Sequence, residues 1–385
     1  MTKNNDVIKF PLQSKALYAF AMDESLLVYS EDTQNVYGFE KGNASLFLQI
    51  DELISNYSCE EIMEKFPTVD TTIVKQMCDL LSGKETADNL EYESDREFGT
   101  YTEDDLKRHY YQVEDIVFAI HYPNEAFYKH LHPVFEYLYT DNPTGKNMVS
   151  IDLVKCDDLW GIYLNNMLVE TPITEARLAT FIQEKMMTFT YQAQRYLLSM
   201  HAGSVEKNAN VIIMPAVAES GKTTLTAALL HHGFDLFSDE VTSLDYEGTV
   251  HPLPFCMNIK EGSWKVLSSM YPSLNTSDVH GRYDGQNIRF LPPVNIHSHR
   301  QKASHIIFPK YTPNAKTTLL KITAKEALYK IKEAGYQVQE NMDQNKFELI
   351  LRNLVSLPKY TLVYSSLDEA IAVINTLLEE SHVSQ

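Results

Sequence analysis

At 385 residues the chain is long enough for two or three domains, and its 44% hydrophobic and 22% charged content sits near the average for folded globular proteins. Its 33 basic residues against 52 acidic ones give a net charge of −19, which opposes phosphate backbones and anionic membranes, so neither nucleic acid nor membrane is an expected partner. The 4 cysteines form no Cys-x-x-Cys pair. No basic patch followed by an apolar run opens the chain, and no stretch reaches the roughly 18 apolar residues of a membrane span, so a reducing cytoplasmic setting is expected.

In chain order, Leu26-Leu27-Val28-Tyr29 and Val36-Tyr37-Gly38-Phe39 predict two strands joined by a polar turn. Helical segments follow over Asn43 to Ile54, Cys59 to Phe66 with Ser58 as N-cap, and Thr72 to Leu81. A hairpin followed by three helices reads as a small winged-helix-like domain over residues 1–88. Glu85, Asp88, Glu91, Glu93, Asp95, Glu97, Glu103, Asp104 and Asp105 then crowd together with few aliphatic residues. Such a stretch buries too little apolar surface to offset its ordering, so residues 89–108 read as an acidic linker. Residues 109–385 alternate strand and helix patterns, which predicts an α/β domain. Within them the spacing of Leu178, Ile182, Met186, Phe189, Ala193, Tyr196 and Met200 predicts a long helix over 178–200. Thr323-x-x-Glu326 and Ser366-x-x-Glu369 match capping boxes.

The chemistry concentrates between His201 and Trp264. Val211-Ile212-Ile213-Met214 reads as a buried strand. A loop from Pro215 to Ser220 follows, and Gly221-Lys222-Thr223-Thr224 opens a helix running through Leu230. Strand, loop, Gly-Lys-Thr and helix form the setting of a phosphate-binding loop. Free N–H groups at a helix start favour negative charge, Lys222 can neutralise β- and γ-phosphates, and the Thr223 hydroxyl can ligate Mg²⁺. Two residues depart from the pattern: Ala216 stands at the first glycine position, and Glu219 places a carboxylate beside the phosphates. A strand over Phe234 to Leu244 then carries Asp239-Glu240. One carboxylate is a candidate Mg²⁺ ligand and the other a candidate proton acceptor. In an unbroken strand the two would face opposite sides, so sharing a site requires the strand to end or the pleat to break there. His201 lies just upstream, and Arg282, Arg289, Arg300 and Lys302 form a basic group able to steady phosphate charge or to serve as ordinary surface.

These motifs, together with His201-Ala202-Gly203-Ser204-Val205-Glu206-Lys207, Leu236-Phe237-Ser238-Asp239-Glu240, Lys260-Glu261-Gly262-Ser263-Trp264 and Arg289-Phe290-Leu291-Pro292-Pro293, resemble the HPr kinase/phosphorylase-related kinases, closest to the HPr-related kinase A subgroup. The resemblance covers about residues 200–375. It implies a fold like that of HPr kinase and ATP-dependent phosphoenolpyruvate carboxykinase, with ATP held at Ser220, Gly221, Lys222, Thr223 and Thr224. It further implies Asp239 as general base, Glu240 and Thr223 as Mg²⁺ ligands, His201 near the phosphates, and Arg289 as a recurring arginine. Where the subgroup commonly has glycine, this chain has Glu219. The N-terminal pattern resembles the PqqD-like domains, which hold leader peptides of ribosomally made, modified products as an added strand. Residues 1–90 carry 7 basic residues against 15 acidic ones, which argues against a duplex partner for a winged helix. The expectation is therefore an ATP- and Mg²⁺-dependent kinase acting on a serine of a peptide or small protein. A small-molecule hydroxyl kinase and a non-catalytic, nucleotide-responsive peptide-binding protein are the alternatives, and homo-oligomerisation stays open.

Overall fold

A computed structural model of the chain describes residues 7–383 apart from 11, 14–15, 23–24, 68, 70, 84–107, 157, 283, 295 and 297–298. The expected acidic linker at 89–108 thus lies almost wholly outside the described residues. The rest is a mixed α/β architecture with ten α-helices and several sheets among the described residues. No helix there is long and apolar enough to cross a membrane.

The first sheet is an antiparallel meander of Ile8–Phe10, Leu17–Met22, Ser25–Ser30 and Val36–Glu40. The helices Lys41–Ile54, Cys59–Lys65 and Thr71–Leu81 follow it, the second opened by a complete Ser58–Glu61 capping box. Two more strands stand here than the sequence pattern indicates. Leu17–Met22 places alanine at positions 19 and 21, which weakens the β-branched and aromatic signal of a strand. Those alanines face the sheet's own helices, so small side chains let the layers approach. On that side Leu17, Ala19, Leu26 and Val28 pack with Phe47, Ile50, Ile62 and Met77. The opposite face sends Phe20, Leu27, Tyr29 and Val36 into a core shared with Phe347 and Ile350.

A second sheet orders Arg108–Val113, Ile116–His121, Asn147–Cys156, Leu159–Leu164 and Met167–Ile173 side by side. Its core contains Phe127 and Leu131 of the helix Glu125–Phe135, and Ile182 and Met186 of the helix Leu178–Ala193. The latter helix is shorter than its apolar spacing predicts. Gln194 turns the chain to extended backbone, and Leu198–Lys207 becomes a strand, so Tyr196 and Met200 leave the helical stripe. A four-residue apolar spacing also fits alternate positions of a strand, and buried neighbours decide between them.

The largest sheet closes on itself. Leu198–Lys207 pairs with Asn210–Pro215, which pairs in parallel with Gln301–Tyr311; that strand pairs with Thr249–His251, then Val241–Leu244, and so back to Leu198–Lys207. Lys359–Tyr364 adds a further parallel strand beside Gln301–Tyr311. The helix Lys222–His231 covers this parallel run, burying Leu225, Ala228 and Leu229 against Ile212, Ile307 and Leu362. Its first turn therefore sits at the carboxyl ends of parallel strands, where open α/β sheets place ligands.

Candidate functional site

The Gly-Lys-Thr segment is held by the ends of the two neighbouring parallel strands. Gly221 adopts φ 86°, and a Cβ there would fall 2.5 Å from the Tyr364 hydroxyl and 3.0 Å from the Tyr311 Cβ. Tyr364 donates its hydroxyl to the Gly221 carbonyl at 3.1 Å, and the Tyr311 N–H donates to the Ser220 carbonyl at 2.9 Å. Left-handed backbone and crowding together require glycine at this position. Glu219 also stands at φ 64°, a conformation that costs any residue with a Cβ. Its side chain is exposed, so the carboxylate seen in the sequence as a neighbour of phosphate is turned at least partly to solvent.

The predicted strand over 234–244 is two strands, Asp235–Ser238 and Val241–Leu244, and the acidic pair occupies the break between them. The pleat is interrupted where the two carboxylates need to share one side. Lys222 Nζ lies 3.8 Å from Asp239 Oδ1 and 4.0 Å from Glu240 Oε2, and donates to the Asp239 carbonyl. His201 Nε2 lies 3.2 Å from Glu240 Oε2, while its Nδ1 faces the Ala334 carbonyl at 3.3 Å. Arg282 Nη1 stands 3.8 Å from Glu240 Oε1, and Asn258 donates to the same oxygen at 3.4 Å. Three basic side chains from three distant segments thus converge on one carboxylate.

The two carboxyls are tuned in opposite directions. Burial raises Asp239 above its ordinary value and the Glu240 charge adds to that, against a lowering by Lys222. Burial also works to raise Glu240, but the His201 contact, Lys222 and Arg282 outweigh it and hold that carboxyl at about 2. Neighbouring acids whose environments separate them in this way divide into a proton acceptor and a permanently ionised partner.

Glu240, Lys222, His201, Arg282 and the loop 217–224 line one cleft of about 1310 Å³. That exceeds the roughly 300–1,000 Å³ of a single small-molecule pocket. Ser263 joins its rim, with its hydroxyl 2.7 Å from that of Thr224. At the far end Tyr191 reaches across to Gln337, its hydroxyl 3.1 Å from Oε1. Of the residues singled out in the sequence, Ser220, Gly221, Lys222, Thr223, Thr224, Glu240 and His201 border this cleft, and Asp239 lies directly behind Lys222. Arg289 is elsewhere: its guanidinium stacks 4.4 Å from the Trp264 ring centroid and donates to the Leu274 carbonyl. The arginine brought to the acidic pair is Arg282, delivered by a tight turn in which the Arg282 N–H bonds the Gln286 carbonyl at 2.9 Å. Asn258, Tyr311 and Tyr364 carry no local signal, since each reaches the site from a strand far away in sequence. Among the described residues no cluster of three or more His, Cys, Asp or Glu side chains stands ready for a metal ion.

In comparison with known proteins, no family model matches the chain, and no curated protein matches it at a significant level.

Proposed function

We propose that this chain is a cytoplasmic, Mg²⁺- and ATP-dependent kinase with an HPr kinase-like catalytic domain, which phosphorylates a serine hydroxyl of a peptide or small protein recruited by a PqqD-like N-terminal domain. The observation that carries this reading is the strand break that sets Asp239 and Glu240 against Lys222 with opposite tuning. Mg-ATP, when bound, supplies the electrophilic phosphoryl group and its divalent counter-charge. The chain's own residues fit it: Thr223 and Glu240 are hard oxygen donors on the cleft wall, of the kind Mg²⁺ takes beside phosphates and water.

Each residue then has a task. The N–H groups at the start of the helix Lys222–His231 and the Lys222 ammonium bind phosphate charge. Asp239, its affinity for a proton raised by burial, accepts the proton of the attacking hydroxyl. Glu240 remains ionised, oriented by His201 and Asn258. Arg282 adds positive charge at Glu240 Oε1, while Lys222 approaches Oε2, so charge spread over a transferring phosphoryl group can be met from both. The N-terminal sheet packs on the helices Ala324–Ala334 and Gln344–Ser356, and the first of these leads straight to Gly335, Tyr336 and Gln337 on the cleft wall. A tethered peptide would therefore reach the acidic pair over a short path.

Calorimetric titration of Mg-ATP, followed by turnover with serine-containing peptides, tests this. Wild type and Asp239→Asn are expected to bind and Lys222→Ala to lose binding, with turnover in Asp239→Asn slower than in wild type by roughly 10²–10⁴-fold. Absence of nucleotide binding at millimolar Mg-ATP would sink the proposal. A nucleotide-responsive peptide carrier is the second reading, favoured by the strained Glu219 in the loop. Tight Mg-ATP binding with no turnover on any peptide would select it.

A further inference from the structure

Asp239 faces the chemistry from behind a screen. Its side chain is 2% exposed, neither carboxyl oxygen has accessible surface or a hydrogen bond of normal geometry, and it does not border the cleft that Glu240 and Lys222 line. The hydroxyls of Thr223 and Thr226 lie beside it without changing that. On the cleft side Asp239 is flanked by Thr223 and by Lys222, the latter only 6% exposed, with its ammonium turned inward onto the Asp239 carbonyl and between the two carboxylates. Gly203 makes room for this arrangement. A Cβ there would fall 2.9 Å from Thr226 Oγ1 and 3.6 Å from both Asp239 Oδ1 and the Lys222 stem.

We infer that Lys222 is a removable cover on Asp239, so that a phosphate-bearing ligand must draw the ammonium toward the loop before any hydroxyl can reach the carboxylate. The inference rests on the reading of this site as a nucleotide site and adds an order to it: nucleotide first, acceptor second. Lys222 is the first residue of its helix, so its side chain can swing between the acidic pair and the N–H groups of the same helix start without moving the backbone. A bound phosphate there competes with the two carboxylates for the one ammonium. Glu240 keeps His201 and Arg282 as partners when Lys222 leaves, whereas Asp239 gives up the one cation within ion-pair distance of it among the described residues. Without nucleotide the base is shielded from water and from unproductive acceptors.

The test is carboxyl labelling of the full chain with a water-soluble carbodiimide and an amine, read at Asp239 by peptide mass spectrometry, beside calorimetry with Mg-ADP. Mg-ADP is chosen because it engages the loop and leaves no γ-phosphate over the acidic pair. In wild type alone Asp239 should stay unlabelled. Labelling should rise at least tenfold in Lys222→Ala, and also in wild type saturated with Mg-ADP. Equal labelling of wild type and a folded Lys222→Ala overturns the cover. Should Lys222→Ala fail to fold, the wild-type Mg-ADP arm decides alone. Mg-ADP that binds by calorimetry yet leaves Asp239 unlabelled overturns the uncovering step while the nucleotide site stands. Mg-ADP that does not bind overturns the nucleotide site itself, and the order of binding falls with it.

Discussion

The loop residue Glu219 illustrates how a single side chain can work against its backbone. At φ 64° it occupies the left-handed region, and it also adds negative charge on the wall of the cleft. Glu219→Gly removes the steric cost at the expense of some unfolded-chain entropy, for a net gain of up to about 1 kcal/mol. The variant is expected to unfold at higher denaturant than wild type and to bind Mg-ATP more tightly, and a lower midpoint in urea would contradict this. The acidic pair carries a second residue-scale prediction. Asp239 must be ionised to accept a proton, so activity should rise with pH through its raised value and the acidic limb of kcat/KM should lie above the ordinary 3.8. Glu240 contributes to that rise by its charge, so Glu240→Gln should move the limb to lower pH, even as it lowers the rate by removing the proposed Mg²⁺ ligand. A limb that stays put or moves upward would show that Asp239 is not the titrating group. The Gly-Lys-Thr sequence was legible because its chemistry is local, a helix start with a lysine on it. The opposite tuning of Asp239 and Glu240 was not, because it depends on His201, Lys222 and Arg282 arriving from elsewhere.

At the level of elements, the site depends on where strands stop. The break between Asp235–Ser238 and Val241–Leu244 lets adjacent carboxylates reach one lysine, and the two-residue strand His280–Gly281 leads into Arg282, which meets Glu240 Oε1. That short strand is anchored by His280, 3% exposed, whose ring sits 5.0 Å from those of both His130 and Phe290. Burial and the neighbouring His130 lower His280 to about 4, against a smaller opposing effect of Asp278. A histidine held neutral in this way binds fewer protons folded than unfolded below pH 6.5. Its contribution is therefore intact above pH 6.5 and is lost as pH falls from there to about 4, by at most about 3 kcal/mol. Urea unfolding measured across that window should show a shallower loss of stability in His280→Asn than in wild type; identical slopes would rule the mechanism out. Helix starts at this scale were well marked, as the Ser58 and Thr323 capping boxes show. At Ser366 only half the box forms, since the Glu369 carboxylate accepts the Thr317 hydroxyl at 2.6 Å instead. Helix ends were poorly marked: nothing in the apolar spacing separates Ala193 from Met200.

On the scale of the whole molecule, the N-terminal unit is more than a tethered appendage. Tyr29 donates its hydroxyl to the Met342 carbonyl at 2.7 Å and stacks 4.8 Å from the Phe347 ring, and Phe20 meets the same ring edge-on at 5.3 Å. Both faces of its sheet are buried, one by its own helices and one by those of the larger part. Removing residues 1–88 would uncover Phe347 and Ile350, each burying roughly 1.5–3 kcal/mol of apolar side chain in the intact protein. The truncated chain is expected to melt at lower temperature and to associate through this face, visible as a shift to larger species in light scattering. A monomeric truncation with an unchanged Tm would show that the two parts are energetically independent. The proposed peptide recruitment is therefore better probed in the full chain than by deletion.

The amino-acid sequence alone determined the mixed α/β character, the helix starts, and the loop and acidic pair between His201 and Trp264, because each is written in neighbouring residues: a cap, a period, a Gly-Lys-Thr turn. Tertiary structure decided which arginine joins the site, choosing Arg282 over Arg289, and that two adjacent carboxylates face the same lysine with opposite tuning. It also decided that the N-terminal sheet is buried on both faces. Those outcomes are set by burial and by charges from segments distant along the chain, and neither quantity exists until the strands have closed around the site.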